Sequence, residues 1–166
     1  MNSIPFLTNI ICDGLFAAIA AIGFSLISNP PRKTLMVSAL LAAIGHSIRY
    51  FLMHAEFMGW SITVSSFIAA LSIGILSIPM AKRLRVPAEV FAFPSLLPMI
   101  PGMFAYRAIQ SLAKILENSS EESVSLHYIN LFFYNGITSV FILFSLVIGV
   151  SIPIFVFRKQ AFSSTR

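Results

Sequence analysis

The sequence predicts an all-α integral membrane protein with five transmembrane helices, the fourth of which is broken at a Pro/Gly segment near mid-membrane. Of its 166 residues, 57% are hydrophobic and only 10% are charged, whereas soluble domains carry about 25% charged residues. A soluble core of this size cannot bury so much apolar surface, so the bilayer must be the solvent. We therefore expect residues 1–166 to form a single five-span membrane domain.

Five apolar segments are long enough to cross the hydrocarbon core, which takes about 20 residues of straight helix. The fourth and fifth are longer than that. The fifth can tilt or project beyond the membrane, and the fourth contains the break. In the third, Ser66, Ala70 and Gly74 form a stripe of small residues typical of a helix-packing face. The predicted spans cover about 4–28, 34–53, 60–80, 86–116 and 126–157.

The basic residues between the spans predict the orientation. Lys and Arg occur in the first and third connections and in the C-terminal tail, but not in the second and fourth connections. By the positive-inside rule, the N-terminus lies outside and the C-terminus lies in the cytoplasm. The acidic residues of the second and fourth connections are Glu56, Glu117, Glu121 and Glu122, and the basic residues of the tail are Arg158, Lys159 and Arg166.

The segment Pro94–Gly102 is expected to break the fourth helix, because it contains three prolines and a glycine. Lipid tolerates a broken helix only where protein or a water-lined cavity satisfies the freed backbone groups. The helix resumes at Gly102, and its N-terminus would offer unpaired amides and a positive dipole end to a carboxylate. Alternatively, the prolines only kink a tilted helix and Arg107 reaches the outer interface. The candidate substrate-binding residues are Pro98, Pro101, Gly102, Tyr106 and Arg107.

Three ionisable residues lie within the first two predicted spans, where such groups are expensive and therefore functional candidates. Asp13 is in the first span, and His46 and Arg49 share one face of the second. Counted at about 1.5 Å per residue, all three lie in the outer half of the bilayer. They could form a proton-coupling network in which Asp13 or His46 exchanges a proton and Arg49 holds an anionic substrate or tunes the acid. The alternative is a purely structural ion network, or an Arg49 that snorkels outward.

Two motifs carry a resemblance to a known family. Gly45-His46-x-x-Arg49 followed by Pro98-x-x-Pro101-Gly102, in a five-span chain with Asp13 in its first helix, resembles the threonine/serine exporter family over nearly the whole chain. It resembles specifically the small separate subunit, the YjjB-like half. The second motif alone is moderately specific, and the combination is strong. The positions that match the family pattern are Asp13, Gly45, His46, Arg49, Pro98, Pro101, Gly102 and Tyr106; Arg107 is not among them.

The resemblance implies a multi-pass protein of the bacterial inner membrane that exports small carboxylate metabolites, driven by the proton gradient. It implies a larger exporter-family subunit that supplies another five-span half, and homo-oligomers are a further option. In some members of the family the two halves are fused in one chain, and in others they are separate subunits. The resemblance implies that the two-subunit form is similar to systems that export dicarboxylates such as succinate. Since Arg107 adds a cation outside the family pattern, it would favour a dicarboxylate over a zwitterionic amino acid such as threonine or serine.

Other classes of function have less support. A non-transporting scaffold subunit that stabilises a partner is the main alternative, and a passive channel stays open. Asp13 and His46 could be drawn as an acid–base pair, but the sequence has no nucleophile motif, metal-ligand spacing or cofactor fingerprint, so we expect no enzyme, cofactor or metal site. Cys12 is the only cysteine, which excludes an internal disulfide. We find no nucleic-acid-binding module and no signal-peptide features.

Overall fold

The computed structural model describes residues 3–55, 58–117 and 122–161. All regular secondary structure in these ranges is helical. Glu56, Glu121 and Arg166, which contribute to the predicted orientation, lie outside the described residues. The elements are α1 (Ser3–Ile27), α2 (Arg32–His54), α3 (Ile62–Leu84), α4 (Glu89–Leu96), a 3₁₀ turn (Leu97–Met99), α5 (Gly102–Glu117), α6 (Glu122–Val156) and α7 (Arg158–Ala161).

Four helices in the described ranges are long and apolar enough to cross a membrane, namely α1, α2, α3 and α6. They coincide with the first, second, third and fifth predicted spans. The fourth predicted span is not one helix, since it consists of the eight-residue α4, the 3₁₀ turn and the 16-residue α5. The all-helical class is therefore confirmed, whereas a count of five spans and a single domain over 1–166 stay predictions.

The interruption lies within the proline-rich segment, but not at every proline. Helix α4 continues through Pro94 and ends at Leu96. Pro98 is inside the 3₁₀ turn, and the chain is non-helical at residues 100–101. The interruption thus lies inside the predicted segment Pro94–Gly102, and Pro94 itself is accommodated within α4.

The chain divides into two compact units. The first unit contains α1 to α4, the 3₁₀ turn, α7 and the part of α6 from Ser145 onward. In it, α2 packs against α1, α3 and α4, and α1 also packs against α4. The second unit contains α5 and the part of α6 up to Phe144.

The small-residue stripe of α3 is a packing face, as predicted. Ser66 and Ala70 are fully buried, and a Cβ on Gly74 would lie 2.8 Å from the Val150 carbonyl oxygen. The contact is reciprocal, since a Cβ on Gly149 would lie 2.7 Å from the Phe67 carbonyl oxygen. Close backbone approach through small residues is how membrane helices gain van der Waals contact. It holds α3 against the last part of α6 within the first unit.

Candidate functional site

Asp13 of α1 and His46 of α2 form a hydrogen-bonded pair in the first unit. Nδ1 of His46 lies 3.0 Å from Oδ2 of Asp13. An ionised carboxylate only accepts hydrogen bonds, so Nδ1 carries the hydrogen and Nε2 bears the lone pair in the neutral ring. The two side chains differ in access, since His46 is 7% exposed and Asp13 is 37% exposed. The carboxylate is therefore the accessible end of the pair and the imidazole is its buried end.

The buried end of His46 is unusual in its hydrogen bonding. Nε2 is fully buried and has no hydrogen-bond partner among the described residues. The Pro98 backbone lies within hydrogen-bonding reach of the ring, but it forms no bond of acceptable geometry with Nε2. A buried polar atom without a partner is costly, and such atoms need an explanation in terms of function or strain. The ring therefore has one engaged nitrogen facing Asp13 and one unsatisfied nitrogen inside the protein.

Two glycines allow the helices to approach closely around this pair. A Cβ on Gly14, next to Asp13, would lie 2.8 Å from Ser47 Oγ on α2. A Cβ on Gly45, next to His46, would lie 2.5 Å from Ile73 Cδ1 and 2.6 Å from Met99 Cε. Ile73 and Met99 are almost completely buried, so these side-chain tips have little room to move. The glycine of the Gly-His motif therefore has a packing role beside the imidazole.

Arg49 joins the pair to the end of the 3₁₀ turn. One guanidinium nitrogen, Nη1, donates to the Met99 carbonyl oxygen at 3.2 Å. The other, Nη2, lies 3.5 Å from Nδ1 of His46, which is a contact between two donors rather than a strong bond. Arg49 also interacts electrostatically with Asp13. Met99 is the last residue before the helix break, so Arg49 satisfies a carbonyl that the break deprives of its helical donor.

The structure thus brings Asp13, His46 and Arg49 into one network, as the sequence predicts. Sequence reasoning missed the Met99 carbonyl, because a backbone acceptor has no residue-type signal. Its position could have been anticipated, since a carbonyl just before a proline break needs a donor from elsewhere.

The predicted amide end of α5 is largely satisfied by its own backbone. The Pro101 carbonyl accepts hydrogen bonds from the amides of Phe104 and Ala105, each at 3.1 Å, and the Gly102 amide donates to Ile100 O at 2.8 Å. Of the first four amides of α5, three therefore already have acceptors. The helix N-terminus consequently offers a carboxylate less than the sequence predicts. Tyr106, one turn further on, is 60% exposed.

Arg107 lies elsewhere in the second unit, in an open pocket of about 400 Å³ between α5 and α6, the α5–α6 pocket. Four of the lining residues come from the α5 helix and the other four from α6. Gln110, one helical turn after Tyr106, also lines this pocket. The pocket is lined by Arg107, Gln110, Ser111, Lys114, Tyr128, Leu131, Tyr134 and Asn135.

Comparisons with known proteins agree with the motifs. The family described as threonine/serine exporter, ThrE, matches residues 13–156. A protein of Haemophilus influenzae, described only as uncharacterized, is 34% identical over 155 residues, which is 93% of this chain and 50% of that protein. The chain thus spans about half the length of this curated relative. No solved structure matches the chain.

The chain belongs to the threonine/serine exporter family, since the match covers most of its length. This is a family of membrane transporters rather than enzymes, and the four long apolar helices fit a multi-pass membrane protein. The resemblance that the two motifs carry is therefore confirmed at the level of the family.

Proposed function

We propose that this chain is one subunit of a proton-driven secondary exporter of small carboxylate metabolites, either threonine and serine or a dicarboxylate such as succinate. Family membership supports the export of threonine and serine, whereas the dicarboxylate option rests on the additional cation Arg107. The relative of about twice the length supports a pairing with a second half of similar size, supplied by a larger family subunit. We place the complex in the bacterial inner membrane with the N-terminus outside, on the strength of the positive-inside rule.

The observation that carries this proposal is the half-exposed Asp13 carboxylate bonded to a buried imidazole. Asp13 is the group at which a proton arrives and leaves, because it is the accessible end of the pair. His46 orients that carboxylate from the protein interior. Ionisable groups inside membrane spans commonly form proton relays in transporters.

Arg49 supplies the connection between the protonation of Asp13 and the helix break. While Asp13 is ionised, it compensates the guanidinium charge and accepts a hydrogen bond from His46. Protonation of Asp13 removes that compensation. Because Arg49 also holds the Met99 carbonyl, its rearrangement changes the support of the last turn before the break. A proton at Asp13 is thereby converted into a conformational change of the 3₁₀ turn.

Transport in inverted membrane vesicles that carry the chain with its larger family partner tests the proposal. Labelled threonine and labelled succinate should accumulate in the vesicles when the interior is acidic, and an uncoupler should abolish the accumulation. Vesicles lacking either subunit serve as controls. Entry that ignores the uncoupler and stops when the concentrations inside and outside are equal would indicate a passive channel, and no entry of any small carboxylate would overturn the exporter proposal.

A scaffold subunit is the second candidate, and one observation favours it. The network places one carboxylate, Asp13, within electrostatic reach of one permanent cation, Arg49, as purely structural charge compensation inside a membrane protein would. In that case the partner does the transport, and this chain only stabilises it. The double variant Asp13→Asn/Arg49→Gln separates the two, since a scaffold retains transport as long as the two subunits still assemble.

A further inference from the structure

The second unit turns a polar stripe of α5 toward α6. The stripe residues are spaced by three or four positions, which puts them on one face of the helix, and each of them lines the α5–α6 pocket. Several large apolar residues on other faces of the same helix are exposed, as suits a lipid-facing surface. The stripe consists of Arg107, Gln110, Ser111 and Lys114, and the exposed apolar residues include Ile109, Leu112 and Leu116.

The charges of this pocket are incompletely compensated. Lys114 is ion-paired with Glu117, with Nζ 2.7 Å from Oε2. Arg107, in contrast, forms no ion pair or side-chain hydrogen bond with any residue that the structure describes. The eight lining residues include no carboxylate. The pocket therefore presents one guanidinium whose charge is not matched from within the described part of the chain.

Some of the neutral polar side chains of the pocket already use their donors within their own helices, and others do not. Ser111 Oγ donates to the Arg107 carbonyl at 2.8 Å, and Asn135 Nδ2 donates to the Leu131 carbonyl at 2.7 Å. These two donors are used by their own helices. The Gln110 amide and the Tyr128 and Tyr134 hydroxyls remain as neutral donors on the pocket wall. These groups can donate as well as accept, whereas Arg107 only donates and carries a positive charge, so the surroundings of Arg107 favour an anionic ligand.

We infer that the α5–α6 pocket binds the carboxylate group of a small organic acid, with Arg107 as its bidentate anchor. The planar guanidinium fork matches two carboxylate oxygens. One unmatched cation fits one carboxylate better than a phosphate dianion. The volume of about 400 Å³ is within the range of small-molecule sites. This inference deepens the proposed function, on which the choice of carboxylate rests, by adding a site made of second-unit residues alone.

The predicted orientation gives this site a place in the export path. Lys114 and Tyr128 lie within a few turns of the connection that the positive-inside rule puts outside the cell. A carboxylate site near that connection is a release-side site. It would hold the exported acid after the Asp13 network has changed state.

Binding of labelled succinate and threonine to the purified complex in lipid nanodiscs tests the inference. Arg107→Gln should weaken the binding of at least one of them by about tenfold or more, since a charge-assisted bidentate contact is lost. The affinity of Arg107→Lys should lie between those of the wild type and Arg107→Gln, because the ammonium keeps the positive charge but lacks the planar, two-pronged geometry of the guanidinium. Gln110→Glu, at an exposed position one turn away, should weaken binding as strongly by pairing with Arg107. Arg158→Gln, an exposed arginine on α7, is the matched control and should bind as the wild type does.

Unchanged affinity in both Arg107→Gln and Gln110→Glu would overturn the inference, as would inorganic phosphate competing as well as the carboxylates do. An equal loss in Arg158→Gln would also overturn it, because the effect would then reflect overall charge. Transport and binding separate this inference from the proposed function. Proton-driven transport that is unaffected by Arg107→Gln leaves the exporter proposal standing without this site. Binding that depends on Arg107, in a complex that shows no transport, would support this site and contradict the exporter proposal.

Discussion

Two arginines of this chain have the same side chain and opposite surroundings. Arg49, in the first unit, donates to the Met99 carbonyl and interacts with Asp13. Arg107, in the second unit, lines an open pocket and has no ion pair among the described residues. A compensated guanidinium that holds backbone suits a switch, whereas an uncompensated one in a pocket suits an anionic ligand. We infer that the partners of an arginine indicate its role better than its predicted depth does.

The comparison also revises what the sequence suggested about substrate binding. The sequence allows Arg49 to hold an anionic substrate, but its contacts with Met99 and the Asp13–His46 pair leave it less available for that task. The sequence predicts that Arg107 lies beside the amide end of α5. In the structure, Arg107 belongs to the polar stripe of α5 that faces Tyr134 and Asn135 of α6. We therefore propose that Arg107 contacts the substrate and that Arg49 couples the charge of Asp13 to the helix break.

The largest effect on stability is expected for Arg49→Gln. The substitution deprives the Met99 carbonyl of its donor and leaves Asp13 without a compensating charge, which should cost about 1–3 kcal/mol as for other unsatisfied buried groups. Thermal unfolding of the purified protein measures this. Arg107→Gln is the matched control, and its midpoint should stay near that of the wild type. Equal losses in the two variants would contradict the contrast between the two arginines.

Gly45→Val is expected to destabilise by a similar or slightly smaller amount. Its Cβ would lie 2.5 Å from Ile73 Cδ1 and 2.6 Å from Met99 Cε, and overpacking of this kind costs about 1–3 kcal/mol. Gly23→Val is the control, because a Cβ at Gly23 meets no described atom within 4 Å; it should change stability by less than about 0.5 kcal/mol. If the two variants unfold at the same temperature, the packing role of Gly45 beside His46 is wrong.

Gly102→Ala should have the smallest effect on stability. No described atom lies within 4 Å of the position a Cβ would occupy, and the residue does not have a positive φ. A change below about 0.5 kcal/mol is typical of such sites. Unchanged stability together with lost transport would restore Gly102 as a substrate-binding residue. A large destabilisation would show instead that this glycine has a structural role.

Much of the fold was predictable because membrane spans need length and apolarity, and both are visible in a sequence. The exact ends of the helices were less predictable. Helix α3 extends to Leu84, beyond the predicted end at Met80, since Lys82 and Arg83 are tolerated in a last turn and Lys33 donates to the Leu84 carbonyl. Pro79 and Pro153 lie inside α3 and α6 without ending them, in agreement with the predicted spans 60–80 and 126–157.

The candidate site was predictable where it depends on helix periodicity. A spacing of three residues puts His46 and Arg49 on one face, and comparable depth puts Asp13 near them. The sequence does not show the Met99 acceptor or the unsatisfied His46 Nε2, which depend on how the 3₁₀ turn packs. The α5–α6 pocket could have been found, since Arg107, Gln110 and Lys114 recur at helical spacing, but its α6 wall is a tertiary feature.

The central claim is that Asp13 carries the proton that drives export. Asp13→Asn tests it most directly, because the amide has nearly the same shape and can still accept a hydrogen bond from His46 Nδ1. The measurement is the pH change inside vesicles, followed with a pH-sensitive dye, when threonine or succinate is added to the assembled complex. We expect a substrate-dependent pH change with the wild type and none with Asp13→Asn, although the variant assembles normally. An undiminished pH change with Asp13→Asn would contradict the account.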